Sequence, residues 1–357
     1  MDDLNLLLKV LPGWIQEEIL RAGEGGLEEI VMDLEKPLVL VYRDSGKMLE
    51  RRVSKEDLHH VVHRVHGFRE DNRTGIERTL HRISCVRDRY GEIVGLTVRV
   101  GRAVVGAAEF IRDVILEGSV LFVGPPGSGK TTLLRDAARI LSGQLGTKVV
   151  IVDTSNEIGG DGKVPHPAIG MARRIQVPDP SVQAKILMQA VANHGPAAIV
   201  IDEIGFHGDV DAVVTIARRG VQMLATVHGS ELRDVVENPH LAPLLGGIAQ
   251  VGAERRRTAP PVFRSLVEVV GRDRVVVHRD LAASVDAVLK GEDLPAGVEL
   301  RVRIPPEATE AESERIGLEA LPEAVEMLAE RRREAIRRTR ELLRGFLEGE
   351  GDGRTLH

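Results

Sequence analysis

The chain has 357 residues, 43% hydrophobic but only 3% aromatic, so its core must be built mainly from Val, Ile, Leu and Ala, and the length suggests two domains with an appendage. A net charge of −6 gives no global attraction to nucleic acid or to an anionic membrane. One cysteine, Cys85, excludes an intramolecular disulfide and a cysteine-built zinc site, and it fits a reducing compartment.

The first residues, MDDLNLLLKVLPGWIQEE, are acidic, and their apolar run is broken by Lys9 and Pro12, so they do not read as a signal peptide. No stretch approaches the roughly 18 apolar residues of a membrane span. A soluble, cytoplasmic protein is expected.

Residues 1–105 read as a smaller N-terminal α/β domain. Leu4–Leu11 and Trp14–Arg21 have helical spacing, with Pro12 opening the second helix. LEEIVMDL (27–34) and PLVLVYR (37–43) predict paired strands turning near Glu35 and Lys36. Ser54 begins a helix that runs through His66, residues 73–86 read as another helix, and GEIVGLTVRV (91–100) alternates like a half-buried strand pair.

Residues 106–270 repeat strand then helix: VLFVG and helix 130–142; KVVIVD, a long loop and helix 180–194; AAIVIDE and helix 208–219; VQMLATVH and helix 230–237. The strands are unbroken apolar runs, which suits a parallel sheet covered on both faces. Ligands bind at the strand ends of such sheets. Residues 271–357 form an extension: strand VVVH, helix Leu281–Lys290, strand VELRVRI, then a helical C-terminal tail over 311–348.

VLFVGPPGSGKTT (120–132) satisfies G-x-x-x-x-G-K-[ST] between a strand and a helix. Gly124, Pro125, Pro126, Gly127, Ser128 and Gly129 would turn backbone N–H groups onto the phosphates of ATP, aided by the helix dipole. Lys130 would reach the β- and γ-phosphates, Thr131 would hold Mg²⁺, and Thr132 would contact the α-phosphate.

Three later strands end in polar groups. Asp202 and Glu203 close AAIVIDE: Asp202 would hold Mg²⁺ and Glu203 is a candidate base for the attacking water. Asp153 closes KVVIVD as a further metal candidate, and Glu157, just beyond it, competes with Glu203 as the base. Thr226 and His228 close VQMLATVH, where a polar group can touch the γ-phosphate.

The order of phosphate loop, acidic box (VDTSNEIG), Asp-Glu box (IVIDEIG) and His box (ATVHG) resembles the secretion-ATPase branch of RecA-like P-loop motors. Within it, VDTSNEIGGDGKVPHPAIG, RRIQVPDPSVQ and NRTGIERTLHRIS resemble the stage III sporulation protein AA family and its chloroplast and cyanobacterial relatives. The resemblance covers about residues 60–290. It implies a RecA-like ATPase that acts as a homo-oligomeric ring, a hexamer favoured, serving a protein partner or membrane-associated complex. It assigns Asp153 and Glu157 to the acidic box, Asp202 and Glu203 to the Walker B box, and His228 to the His box.

An arginine reaching the γ-phosphate is also implied. Arg99 and Arg102 are the candidates, with Arg173, Arg174, Arg218 and Arg219 less specific. Many chloroplast-type relatives carry a nucleic-acid-binding domain built around Arg-x-x-x-His. Arg274 and His278 have that spacing but lie on a predicted strand, so a nucleic-acid-binding ATPase is the alternative and not the favoured reading. A scaffold that binds ATP without hydrolysing it is disfavoured by the carboxylates at 157 and 203.

Other features carry less. His59 and His63 share a helix face, but neighbouring valines point to packing rather than a metal site. The loop Gly159–Gly170 is either a contact for a substrate or neighbouring subunit, or a proline-braced surface loop. GAERRRTAPP (252–261) reads as a solvated linker rather than a phosphate-binding patch. Interleaved Arg and Glu along 311–348 suit a docking helix.

Overall fold

A computed structural model describes residues 3–303, except Glu24, Asp44, Phe206 and Ala253. The tail helix expected over 311–348 lies outside the described residues.

The chain begins with α1 (Leu4–Leu8), α2 (Gly13–Ala22), β1 (Leu27–Asp33), β2 (Pro37–Tyr42), β3 (Ser45–Arg52), α3 (Lys55–Val62), β4 (Arg73–Gly75), β5 (Arg82–Arg87) and β6 (Ile93–Arg99). It continues with α4 (Arg112–Glu117), β7 (Val120–Val123), α5 (Lys130–Leu145), β8 (Val149–Asp153), β9 (Arg173–Gln176), α6 (Gln183–His194), β10 (Ala198–Ile201), α7 (His207–Ala217) and β11 (Gln222–Thr226). Then come α8 (Leu232–Glu237), β12 (Ile248–Val251), β13 (Glu254–Arg257), β14 (Ser265–Val269), β15 (Arg274–His278), α9 (Leu281–Lys290) and β16 (Val298–Val302).

Two compact units share these elements: Met1–Ala108 with Thr131–Asp202, and Glu109–Lys130 with Glu203–His357. In the first, an antiparallel sheet has the order β3-β2-β1-β6-β5-β4. Alternate residues of β1 and β2 (Ile30, Met32, Leu38, Leu40) are buried, and they join Leu7, Leu11, Ile15 and Ile19 of the N-terminal helical region in one apolar core. A capping box between Ser54 and Asp57 starts α3. Parallel strands β10, β8 and β9 pair in that order, and β8 and β10 are buried at every position. In the second unit the order is β16-β15-β14-β7-β11, with β14, β7 and β11 parallel and β15 and β16 antiparallel.

The α/β class and the fully buried strands follow the sequence pattern. Four local expectations do not. Residues 73–86 form β4 and β5 and not a helix. Arg78 adopts φ +62, which no α-helix tolerates, and Ile83 and Cys85 are buried in alternation with Arg82 and Ser84. Residues 91–100 hold one strand, β6, which pairs with β1 on one side and β5 on the other. Helix α3 stops at Val62 rather than His66, its cap His63 bonding back to His59. Within 252–261, β13 pairs with β12 as an antiparallel hairpin, where the composition suggests a linker.

Candidate functional site

Strand β7 delivers the phosphate loop. Gly124 follows it in a place with no room for a side chain: a Cβ would lie 2.5 Å from Val269 O and 3.0 Å from Ser128 Oγ. Gly127 and Gly129 take φ of +77 and +105, conformations that glycine alone adopts without strain. Pro125, Pro126 and Gly127 are exposed, and a Cβ on Gly127 would meet nothing within 4 Å. Lys130 opens α5 and folds its ammonium onto Gly124 O and, at 3.1 Å, Pro125 O. Ser128 Oγ is buried with no hydrogen-bond partner among the described residues. Thr131 and Thr132 occupy the first turn, whose N–H groups have no partner within the helix. The turn therefore offers ammonium, hydroxyl and amide donors, and this donor set fits a chain of phosphates.

The acidic box sits in the first unit. Asp153 ends β8 with both carboxylate oxygens engaged: Oδ1 accepts from Ile158 N at 3.3 Å and Oδ2 from Gly159 N at 2.8 Å. Asn156, at φ +58, turns the chain between them. Thr131 Oγ1 donates to Glu157 Oε2 at 3.3 Å. Asp202 accepts from Ser155 N at 3.0 Å and from the Ser155 hydroxyl. Burial raises the Asp153 carboxyl well above the usual carboxylate range. Burial, then the neighbouring Asp153 charge, raises Asp202 to about 7, with Glu157 adding to the repulsion. Carboxylates crowded in this way are eased by holding a proton or by a cation. Thr131 and Asp202 supply the hydroxyl and carboxylate oxygens that suit Mg²⁺, whereas the oxygens of Asp153 already hold the loop.

Arg135, buried on α5, donates from Nε to Ile158 O at 2.8 Å and from Nη2 to Glu157 O. Arg82 on β5 approaches Glu157 Oε1 at 3.6 Å. It lies directly opposite Arg99 of β6, and burial with the Arg73 charge lowers its guanidinium below the usual arginine range. Arg99 itself is exposed, 3.4 Å from Glu29, and Arg102 donates to Leu27 O at 2.7 Å. Of the arginines on β5 and β6 and just after them, the one beside the Glu157 carboxylate is thus Arg82, which sequence reading passes over once 73–86 is taken for a helix. Arg135 had a signal: it follows Thr131 by one helical turn.

The loop 159–170 is braced. Arg174 donates to the carbonyls of Gly159 at 3.2 Å and Lys163 at 3.1 Å, and also to Gly160 and Gly162. Glu77 accepts from Lys163 N at 3.0 Å and from Val164 N at 2.5 Å. Asp161 meets Arg69 at 2.8 Å, and buried His166 meets Asp3 at 3.2 Å. The loop is therefore braced, by Arg174 and Glu77 rather than by its prolines.

In the second unit, Glu203 pairs with Nε2 of His228, an exposed histidine just past β11. Gly124 N donates to Gly229 O at 2.9 Å, tying the phosphate loop to the residue after His228. Buried Glu268 accepts from Leu232 N at 2.8 Å and lies 3.2 Å from His278 Nε2, while His278 Nδ1 is 3.1 Å from Ser284 Oγ. His278 and Ser284 have no exposed surface, so this Ser-His-Glu row cannot meet a substrate. Arg218 and Arg219 follow α7. The three arginines of β13 are engaged: Arg255 with Val236 O at 3.4 Å, and Arg256 with Glu254 and Arg257 with Asp286, each at 2.7 Å. His59 and His63 stack edge to face at 6.0 Å. Among the described residues no cluster of His, Cys, Asp or Glu could hold a metal by itself, and no helix is long and apolar enough to cross a membrane.

Residues 78–251 match the family model described as sporulation stage III, protein AA. A ycf45 protein of Cyanidium caldarium is 37% identical over 306 residues, covering 81% of this chain and 91% of its own length. A ycf45 protein of Porphyra purpurea is 45% identical over 306 residues, covering 81% of this chain but 54% of its own, so the chain spans about half the length of that relative. Among solved structures, the pilus retraction motor PilT with bound ADP aligns over 87% of this chain and 89% of its own at 16% identity, with a TM-score of 0.51. The likeness is one of fold: an α/β, RecA-like core.

Proposed function

The chain belongs to the stage III sporulation protein AA family, with the ycf45 proteins, and from that premise we propose that it is a Mg²⁺-dependent ATPase working as a motor in a homo-oligomeric ring. The observation that carries the proposal is the bond from Thr131, inside the phosphate motif, to the Glu157 carboxylate at 3.3 Å. It sets an acid–base group beside the hydroxyl that would ligate the metal.

In this reading residues 124–132 bind the phosphates, with Lys130 neutralising charge on the β- and γ-phosphates. Thr131 and Asp202 hold Mg²⁺, which supplies charge neutralisation at the phosphates when bound. Glu157 orients and deprotonates the attacking water. Glu203, paired with His228, is the reserve candidate for that task, and the pair would report on the phosphate. Arg82, 3.6 Å from Glu157, is the arginine we favour over Arg99 or Arg102 to add positive charge there. The solved protein of like fold carries ADP, which supports a nucleotide as ligand. A hexamer and a protein or membrane-complex partner are the expected setting. No separate observation favours nucleic acid: of the three arginines of β13, Arg256 and Arg257 already have acidic partners and Arg255 donates to Val236 O.

The test is phosphate release by wild type and Lys130→Ala over a range of protein concentrations, with absolute mass by light scattering. Mg²⁺-dependent release lost in the variant, with a mass near six chains in a non-hydrolysable ATP analogue, supports the proposal. Equal release from both proteins would sink the enzyme, and a persistent monomer would sink the ring.

A further inference from the structure

Thr131 and Arg135 lie one turn apart on α5 and so share a face. Both contact one residue. The Thr131 hydroxyl meets the carboxylate of Glu157 at 3.3 Å, and the Arg135 guanidinium donates to the carbonyl of Glu157 and, at 2.8 Å, to that of Ile158. From the other side Asp153 accepts the amides of Ile158 and Gly159 at 3.3 and 2.8 Å. The peptide units after Glu157 are thus gripped through carbonyls by an arginine and through amides by an aspartate.

A buried guanidinium is a costly way to fill space, because an apolar side chain of similar volume does so without desolvating a charge. Arg135 is 7% exposed, and its bonds go to two consecutive carbonyls of a single loop. The planar fork of arginine can hold two acceptors at once, as the single ammonium of lysine cannot with the same geometry.

We propose that Arg135 is a positioning residue for Glu157: it fixes the carboxylate against Thr131 and makes the helix behind the phosphate loop and the acidic box move as one piece. This rests on the ATPase reading above and gives it a mechanical part that the motifs do not contain.

The test is a double-mutant cycle on the full chain with Arg135→Lys and Glu157→Gln, following phosphate release and binding of a fluorescent ATP analogue. Arg135→Lys should lower kcat about 10–100-fold, the range for residues that orient a reacting group, with affinity for the analogue within about threefold of wild type. If Arg135 acts through Glu157, the double variant is no slower than Glu157→Gln alone. Losses that multiply, or a drop in affinity parallel to the drop in kcat, would overturn the inference while leaving the ATPase intact. A neutral Glu157→Gln would overturn it too. Wild type and Lys130→Ala releasing phosphate equally would remove the ATPase reading, and the inference with it. Melting curves accompany each protein, and should the lysine variant not fold, Arg135→Gln completes the same cycle.

Discussion

Thr131 Oγ1 and Glu157 Oε2 stand 3.3 Å apart although 26 positions separate them in the chain. That relationship is the reason our proposal takes Glu157 over Glu203 as the base. Glu157→Gln should keep nucleotide binding and lower turnover by about 10²–10⁴-fold, the contribution of a general base. Glu203→Gln should lower it less and chiefly change how turnover depends on His228. Parallel measurements of phosphate release and analogue binding check this, and the reverse order of effects would exchange the roles.

Asp202 carries a pH dependence whose sign follows from linkage. Its carboxyl is raised from 3.8 to about 7, so between those values the folded chain holds a proton that the unfolded chain has released. Stability of the nucleotide-free protein should therefore fall as pH rises through that window. Mg²⁺ competes with the same proton, so its affinity should rise over the same range and its presence should flatten the slope. Melting temperatures from about pH 4 to about pH 8, with and without Mg²⁺ and nucleotide, test both parts. Asp202→Asn should reduce the slope, stabilise the empty protein at the upper end and weaken Mg²⁺-dependent turnover.

The buried strands and the phosphate motif were legible because burial on both faces writes an unbroken apolar run, and a tight phosphate turn demands glycine at set positions. What stayed hidden depends on distant partners. Strand β5 was masked because Leu80 and Ile83 sit three apart, a helical spacing, and it takes Arg78 at φ +62 and the alternating burial of Ile83 and Cys85 to break that reading. With the strand hidden, Arg82 had no reason to stand out beside Arg99 and Arg102. The task of Arg135 required knowing that the acidic loop folds back onto α5, and a helix-forming sequence carries no mark of what its buried arginine grips. Asp153 looked like a metal ligand from its place at a strand end, and only the structure puts its oxygens on Ile158 and Gly159.

Gly160 sits at φ +85, and a Cβ there would come within 2.1 Å of Thr79 O. Gly160→Ala combines an unfavourable backbone conformation with a collision against main chain. A loss of at least about 1–3 kcal/mol is expected, the cost of such a conformation alone. A thermal melt gives the loss directly. Increased protease cutting between 159 and 170 should accompany it.

Glu268 accepts from the Leu232 amide and stands 3.2 Å from His278 Nε2 in a fully buried setting. Glu268→Ala should destabilise by at least about 1–3 kcal/mol, because it leaves the buried Leu232 amide without its acceptor. Denaturant unfolding would measure this. His278→Ala in the Glu268→Ala background should cost much less than it does alone.

The glycines of the braced loop have a consequence for how this family can change. A Cβ at Gly75 would fall 2.3 Å from Asp161 Cβ, one at Gly162 would fall 2.8 Å from Glu77 Cα, and one at Gly160 would strike Thr79 O. At these points main chain lies against main chain, so neither segment can acquire bulk, or gain or lose a residue, without a matching alteration in the other. Residues 75–79 and 160–162 should therefore vary as a unit across relatives. A label, tag or crosslinker placed in this region belongs at Lys163 or Pro167, whose side chains face outward.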